Sequence, residues 1–220
     1  MIGTLTLDGL KIRLGNRTLV DLTIDIHAGE VTTIMGPSGS GKSTALAAIT
    51  GTLAPDFSAE GRILLDGKDI SDLPTRARRI GLLFQDPVLF PHMTVGGNLA
   101  FALPPNSGTR AARHERVGTA LAQAGLDGLA LRDPETLSGG QKARVALLRT
   151  LLAEPRALLL DEPFSRLDAN LRAQMRRFTF DRARKAGIPT LLVTHDIEDA
   201  RAAGGPVLDA LGQSLPDAGS

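Results

Sequence analysis

The sequence predicts an α/β fold built on a parallel sheet, and three observations lead there. Short apolar runs at residues 31–35, 79–84, 157–160 and 188–194 alternate with segments whose apolar residues recur at helical spacing. That alternation places parallel strands between covering helices. One of the runs ends in a glycine-rich turn, residues 36–44, that opens directly into a helical pattern. The chain of 220 residues is 42% hydrophobic and 22% charged, enough for a sizeable core in one domain spanning 1–220.

Taken in order, residues 4–10 and 22–26 alternate apolar and polar side chains. Both read as half-buried strands of an N-terminal antiparallel β subdomain. Residues 28–30 (AGE) turn the chain into the strand VTTIM, 31–35, and a helix follows over 43–49. Residues 61–66 (GRILLD) form a further strand, with Asp66-Gly67 as a hairpin turn. The run 79–84 (RIGLLF) is a buried strand ending at Gln85.

From about 87 to 137 no strand pattern appears, and 94–103 and 110–124 have helical spacing. This stretch reads as an α-helical subdomain inserted into the core. The basic positions Arg110, Arg113 and Arg116 read as a solvated helix face. A helix over 138–153 is stopped by Pro155, and the strand 157–160 runs into Asp161-Glu162-Pro163. Residues 168–186 are an amphipathic helix with Leu171, Met175 and Phe178 on one stripe, and 188–194 is a strand ending at His195. The tail 205–220 holds at most one last strand in 207–211 before fraying.

Composition sets limits. There is no cysteine, which excludes disulfides, thiolate metal sites and cysteine nucleophiles. A net charge of +1 gives no support for nucleic acid as a partner. The first residues lack a signal-peptide pattern, and no apolar run is long enough to span a bilayer. Membrane attachment is therefore expected to come through a partner.

The chemistry starts at GPSGSGKST, residues 36–44, which fits the phosphate-binding loop pattern. Gly36, Gly39 and Gly41 permit backbone angles that turn successive N–H groups inward as an anion nest, with Pro37, Ser38 and Ser40 between them. Lys42 places a charge against the outer phosphates, and the Ser43 hydroxyl can ligate Mg²⁺. Asp161 follows four apolar residues, as a metal-directed carboxylate at a strand end should, and Glu162 is next. One carboxylate could hold the metal while the other deprotonates an attacking water. In ligand-binding sheets of this kind the site lies beyond the strands' C-terminal ends. The phosphate loop, Gln85, Asp161 and His195 all occupy such positions.

Residues 137–141 (LSGGQ) offer a second helix N-terminus, with Ser138 as cap and Gly139 and Gly140 exposing backbone N–H groups. An ordinary capped helix is one reading. A lid for a nucleotide bound to another copy is the other, since one mononucleotide needs only one such end.

The set GPSGSGKST, Gln85, LSGGQ, LLLDEP, Ser165 to Asp168 and His195 resembles the ATP-binding cassette (ABC) ATPases over nearly the whole chain. The resemblance implies a P-loop NTPase (RecA-like) core, ATP hydrolysis with Mg²⁺, and a head-to-tail pair of copies. It implies that Lys42 binds the outer phosphates, that Thr44 supports the α-phosphate, and that Ser43, Gln85 and Asp161 serve the metal. Glu162 is then the general base and His195 a contact to the γ-phosphate. Ser138, Gly139, Gly140, Gln141 and Asp168 act across the pair of copies.

The stretch from Gln85 to Met93 resembles the importer branch. There it would form a groove for membrane permease subunits, bordered by Phe90, Pro91, His92 and Met93, although a local core turn is the alternative. A separate substrate-binding protein and a peripheral position on the cytoplasmic face of the inner membrane follow from the same resemblance. Among importers the chain is similar to the iron, thiamine and spermidine ATPases. With only about 25 residues after His195, the C-terminal regulatory domain of many such relatives is expected to be absent. A soluble ABC protein is the runner-up reading, and a P-loop kinase or a non-enzymatic binder would not need these motifs together.

Three departures stand out. Leu14 occupies the place where the family usually carries an aromatic residue against adenine, which predicts weaker base discrimination. Arg166 replaces a small residue and is expected to reach across the pair of copies. Lys142-Ala143-Arg144 varies the family's more usual Arg-Gln-Arg, with little expected effect.

Overall fold

The structure is a computed structural model that describes residues 3–215. The expected fraying beyond residue 215 lies outside the described residues. In chain order the elements are β1 (Leu5–Leu14), β2 (Arg17–Ile26), β3 (Val31–Met35), α1 (Lys42–Thr50), β4 (Phe57–Leu65) and β5 (Lys68–Asp69). Then come α2 (Thr75–Arg78), β6 (Ile80–Leu83), α3 (Val95–Ala102), α4 (Arg110–Gln123), α5 (Gly139–Leu152) and β7 (Ala157–Asp161). The last are α6 (Ala169–Lys185), β8 (Thr190–Thr194), α7 (Ile197–Ala203) and β9 (Val207–Leu208).

Two sheets result. A four-stranded antiparallel sheet has the order β2-β1-β4-β5, and a five-stranded sheet has the order β6-β7-β8-β3-β9. The pairs of the second sheet are all parallel. The mixed α/β class, with a parallel sheet and an antiparallel β subdomain, is as the sequence predicts.

β1 and β4 run longer than expected because a bulge resets their alternation. The register between β1 and β4 shifts between Asp8 and Lys11, with Gly9 at φ 62°. Opposite it, a Cβ on Gly61 would sit 2.2 Å from the Gly9 carbonyl oxygen, so only glycine fits this crossing. The sequence pattern breaks at Gly9, whereas the strand continues beyond it. At the β4–β5 turn, Asp66 and Gly67 both have positive φ, 54° and 76°, as a two-residue hairpin requires.

The parallel strands are apolar throughout because both their faces are covered. Leu159, Leu191 and Val193 face the antiparallel sheet and α1, packing with Leu5, Leu7, Ile12, Leu46 and Ile49. Leu158, Leu160 and Leu192 face the other way, onto Leu147 of α5 and Met175, Phe180 and Ala183 of α6. A third cluster joins Val95 and Leu99 of α3, Val117 and Leu121 of α4, and Val145 and Leu148 of α5. Helix α5 therefore serves two cores, tying the helical layer to the sheet.

The basic positions on α4 are only partly a solvated face. Arg113 donates to the carbonyl oxygens of Ala100 and Pro104, and Arg116 pairs with Glu154. These contacts anchor α4 to its neighbours.

Candidate functional site

Parallel strands place their C-terminal ends along one edge, and the chain puts its reactive groups there. Gly36 follows β3, Gln85 follows β6, Asp161 closes β7, and His195 follows β8. Strand geometry alone thus gathers residues far apart in sequence.

The phosphate loop enters α1 through Gly41, at φ 97°, with Lys42 as the first helical residue. A Cβ on Gly41 would approach the Leu19 carbonyl oxygen to 2.5 Å, so the loop lies tight against β2. Lys42 is buried, and its Nζ donates to the carbonyl oxygens of Gly36 and Pro37, 2.7 Å each. Burial lowers the Lys42 pKa, and the carboxylates of Glu162 and Asp161 oppose that shift. The buried hydroxyl of Ser40 has no protein partner. An anion held by the loop would satisfy it.

Ser43 Oγ lies 3.4 Å from Asp161 Oδ1. Burial raises the Asp161 pKa, and the Glu162 carboxylate adds to the rise. Two adjacent oxygen ligands, one neutral and one anionic, suit Mg²⁺, which binds few protein groups and completes its shell with water and phosphate. Among the described residues no group of three or more acidic or histidine side chains is arranged to hold a metal ion by itself. The pair therefore fits an ion that arrives with a polyphosphate.

Glu162 adopts φ 45°, a left-handed conformation rare for glutamate, and its N–H donates to Val193 O at 2.9 Å. That turn directs its carboxylate to His195, whose Nδ1 is 3.1 Å from Glu162 Oε1. Behind His195, Asp196 accepts from Arg172 and Arg176, while Asp199 accepts from Thr194 and Arg176. Sequence reasoning missed Arg172, Arg176 and Asp199. Charged residues on an amphipathic helix give no sign of which face will meet another strand end.

The cleft beside the phosphate loop has a volume of about 350 Å³. Ser38, Gly39, Gly41, Lys42, Ser43, Thr44 and Glu162 line one part of it, and Leu14 lines another. Gln85 lies elsewhere, donating to Ser165 Oγ at 3.0 Å. Arg166, expected to face a second copy, pairs with Asp86 of its own chain. The segment after Gln85 is thereby tied to the segment after Glu162.

The residues 138–141 do not line this cleft. Ser138 caps α5: its Oγ accepts from Gln141 N, and Gln141 Oε1 accepts from Ser138 N at 3.0 Å. Ser138 and Gly139 are exposed, whereas Gly140 is buried under Leu171. Asp168 caps α6 by accepting from Leu171 N. Within one chain, then, residues 138–141 form a second capped helix end, exposed at Ser138 and Gly139, that does not line the phosphate-loop cleft.

The segment 86–94 is held from below by a residue the sequence did not flag. Asn98 is fully buried, accepts from Phe90 N, and donates to the carbonyl oxygens of Phe90 and Thr94. The Arg149 guanidinium lies 4.9 Å from the Phe90 ring centroid and donates to Val88 O.

A family model described as ABC transporter matches residues 19–165, a span that holds the phosphate loop, LSGGQ and both carboxylates. The chain belongs to the ABC transporter family. An ATPase reaction with Mg²⁺ goes with that membership. The chain is 49% identical over 187 residues to the uncharacterised ABC transporter ATP-binding protein YnjD of Escherichia coli (strain K12), covering 85% of this chain and 86% of YnjD. It is 48% identical over 198 residues to the thiamine import ATP-binding protein ThiQ of Cereibacter sphaeroides, covering 90% of this chain and 84% of ThiQ. Among solved structures, cbiO1 from Clostridium perfringens, part of the ABC transporter complex cbiONQ, superposes with a TM-score of 0.82 at 31% identity, covering 96% of this chain and 86% of that one. Several longer import ATP-binding proteins are matched over only 52% to 59% of their length.

Proposed function

We propose that this ABC family member is the ATP-hydrolysing subunit of a membrane importer, working as a head-to-tail pair of copies. The observation that carries the reading is the convergence of Lys42, Ser43, Asp161, Glu162 and His195 on one sheet edge, with Ser138 and Gly139 of a second helix end exposed outside that cleft.

In this reading the N–H groups of Gly39 to Thr44 hold the phosphates, and Lys42 exchanges its two carbonyl partners for phosphate oxygens. Ser43, Asp161 and Gln85 would hold Mg²⁺. The ion would supply charge neutralisation on the phosphates. Glu162 takes the proton of a water whose oxygen attacks the γ-phosphorus, as the bond to the β–γ bridging oxygen breaks. His195 holds the Glu162 carboxylate in place and donates to the γ-phosphate. Ser138, Gly139, Gly140 and Gln141 of the second copy cover the nucleotide, and Asp168 shapes the loop that meets it.

Phe84, Val88 and Phe101 expose large apolar surfaces. Beside them a groove of about 340 Å³ is lined by Leu82, Phe90, Phe101 and Arg149. We assign this surface, around Gln85 to Met93, to a membrane permease. Among the described residues no helix is long and apolar enough to cross a membrane. In this reading the chain sits at the cytoplasmic face of the inner membrane, held there by its permease, which receives cargo from a separate substrate-binding protein.

Glu162→Gln tests the reading. Turnover should fall at least about 100-fold, and ATP should shift the variant to a dimer in size-exclusion chromatography. Turnover near that of the unaltered chain would remove Glu162 as the base.

A further inference from the structure

Phe57 is the one aromatic residue lining the cleft beside the phosphate loop, and Leu14, its register partner, lines the cleft with it. We propose that Phe57 is the base-contacting aromatic residue of this chain, with Leu14 completing the platform. The proposal rests on the ATP reading above and concerns which residue takes the base.

Three features of the fold support it. First, Leu14 and Phe57 are register partners at the adjoining ends of β1 and β4. Directly opposed residues of an antiparallel pair project from the same face with Cβ atoms about 4.5–5.5 Å apart. The two side chains thus form one surface wider than either alone. Second, that surface extends the apolar face of the sheet beyond the core. Leu10 and Ile12 alternate with Leu14 along β1 and are buried, whereas Leu14 is 46% exposed.

Third, the platform and the phosphate loop are fixed to each other. α1 begins at Lys42, and the turn after it returns Phe57 to β1, where Phe57 N donates to Ala54 O. A nucleotide with its phosphates in the loop would have its base directed along the same cleft, and the Leu14–Phe57 pair is where a flat aromatic base can be desolvated. Leu14 by itself offers little planar area, while the Phe57 ring supplies it from the next strand. Since every base has a π-face, such a platform favours ATP over tripolyphosphate strongly and ATP over GTP only weakly.

Phe57 also packs partly against the core. A purely structural ring would weaken binding of any ligand of the loop, base or no base, and the test separates the two roles. Phe57→Leu, which keeps an apolar side chain at the core, is assayed in the full chain against ATP, GTP and tripolyphosphate. The expected result is a loss of about tenfold in affinity for both nucleotides, with tripolyphosphate unchanged.

The chain contains no tryptophan, so Phe57→Trp introduces a single reporter. Its emission should be quenched by ATP and GTP and not by tripolyphosphate. Unchanged ATP affinity in Phe57→Leu, or an equal loss for tripolyphosphate, would overturn the proposal. So would Phe57→Trp emission that ignores saturating ATP. If the unaltered chain binds ATP no better than Lys42→Ala does, the ATP reading itself fails, and that outcome is recognised before Phe57 is touched.

Discussion

His195 Nδ1 stands 3.1 Å from Glu162 Oε1, and the two residues come from neighbouring parallel strands. The contact spans 33 positions of sequence (195 − 162 = 33) and depends on the left-handed turn at Glu162. The side chain of Glu162 is 19% exposed and that of His195 is 55% exposed, so the histidine covers the carboxylate while remaining open to a ligand.

His195→Ala is therefore expected to lower phosphate release about 100-fold, while His195→Gln, which keeps a donor near Glu162, retains more activity. ATP affinity, measured by equilibrium binding, should change much less than turnover. A matching loss of both would instead place His195 in nucleotide binding.

The ion pairs behind His195 predict a pH-dependent stability. Burial raises the Asp199 pKa, with Thr194 and Arg176 opposing the rise. Because the folded pKa lies above the unfolded one, the contribution of this group is full below the unfolded carboxylate pKa and is lost as pH rises through the folded pKa. Arg176→Met removes the cation that compensates the ionised form and should cost about 3 kcal/mol at neutral pH. Denaturant titrations should show that cost shrinking as pH falls and Asp199 takes up its proton. A cost independent of pH would mean that packing dominates.

Gly140 is where LSGGQ meets the fold. A Cβ added there would lie 2.3 Å from Leu171 Cδ2. Gly140→Ala should destabilise the chain by about 1–3 kcal/mol through overpacking. Adding Leu171→Ala should relieve part of the clash, seen as a non-additive thermal shift in the double variant. Additive losses would show that α5 and α6 are not tightly apposed at this point.

Leu14→Tyr should tighten ATP binding several-fold, because a ring at residue 14 would extend the surface already formed with Phe57. Affinities for ATP and GTP measured before and after the change check this. An unchanged ATP affinity would show that residue 14 lies outside the base platform.

Much of the molecule is legible in the chain itself. Strongly apolar runs such as 157–160 announce buried parallel strands, because only burial on both faces tolerates four such residues in succession. GPSGSGKST and LSGGQ are local in sequence, so their turn and cap chemistry can be read directly. Pairings that depend on register and twist were decided elsewhere. The bulge at Gly9 carried β1 on to Leu14 and brought Leu14 opposite Phe57, a match invisible to alternation counts. Helix α7, short and acidic at its start, showed no period long enough to detect, yet it supplies Asp199.

Asn98 reads as an ordinary polar helix residue until the turn at Phe90 folds over it. Arg166 reads as a contact to a second copy, and only the packing of two loops gives it Asp86 of its own chain. Local sequence encodes which pieces form and which of them present backbone N–H groups that could receive an anion, because backbone propensity and burial act over a few residues. The tertiary structure alone decided which strand ends meet. Hence it set the Glu162–His195 contact and the Leu14–Phe57 surface, since each is a distance between segments whose separation no local pattern encodes.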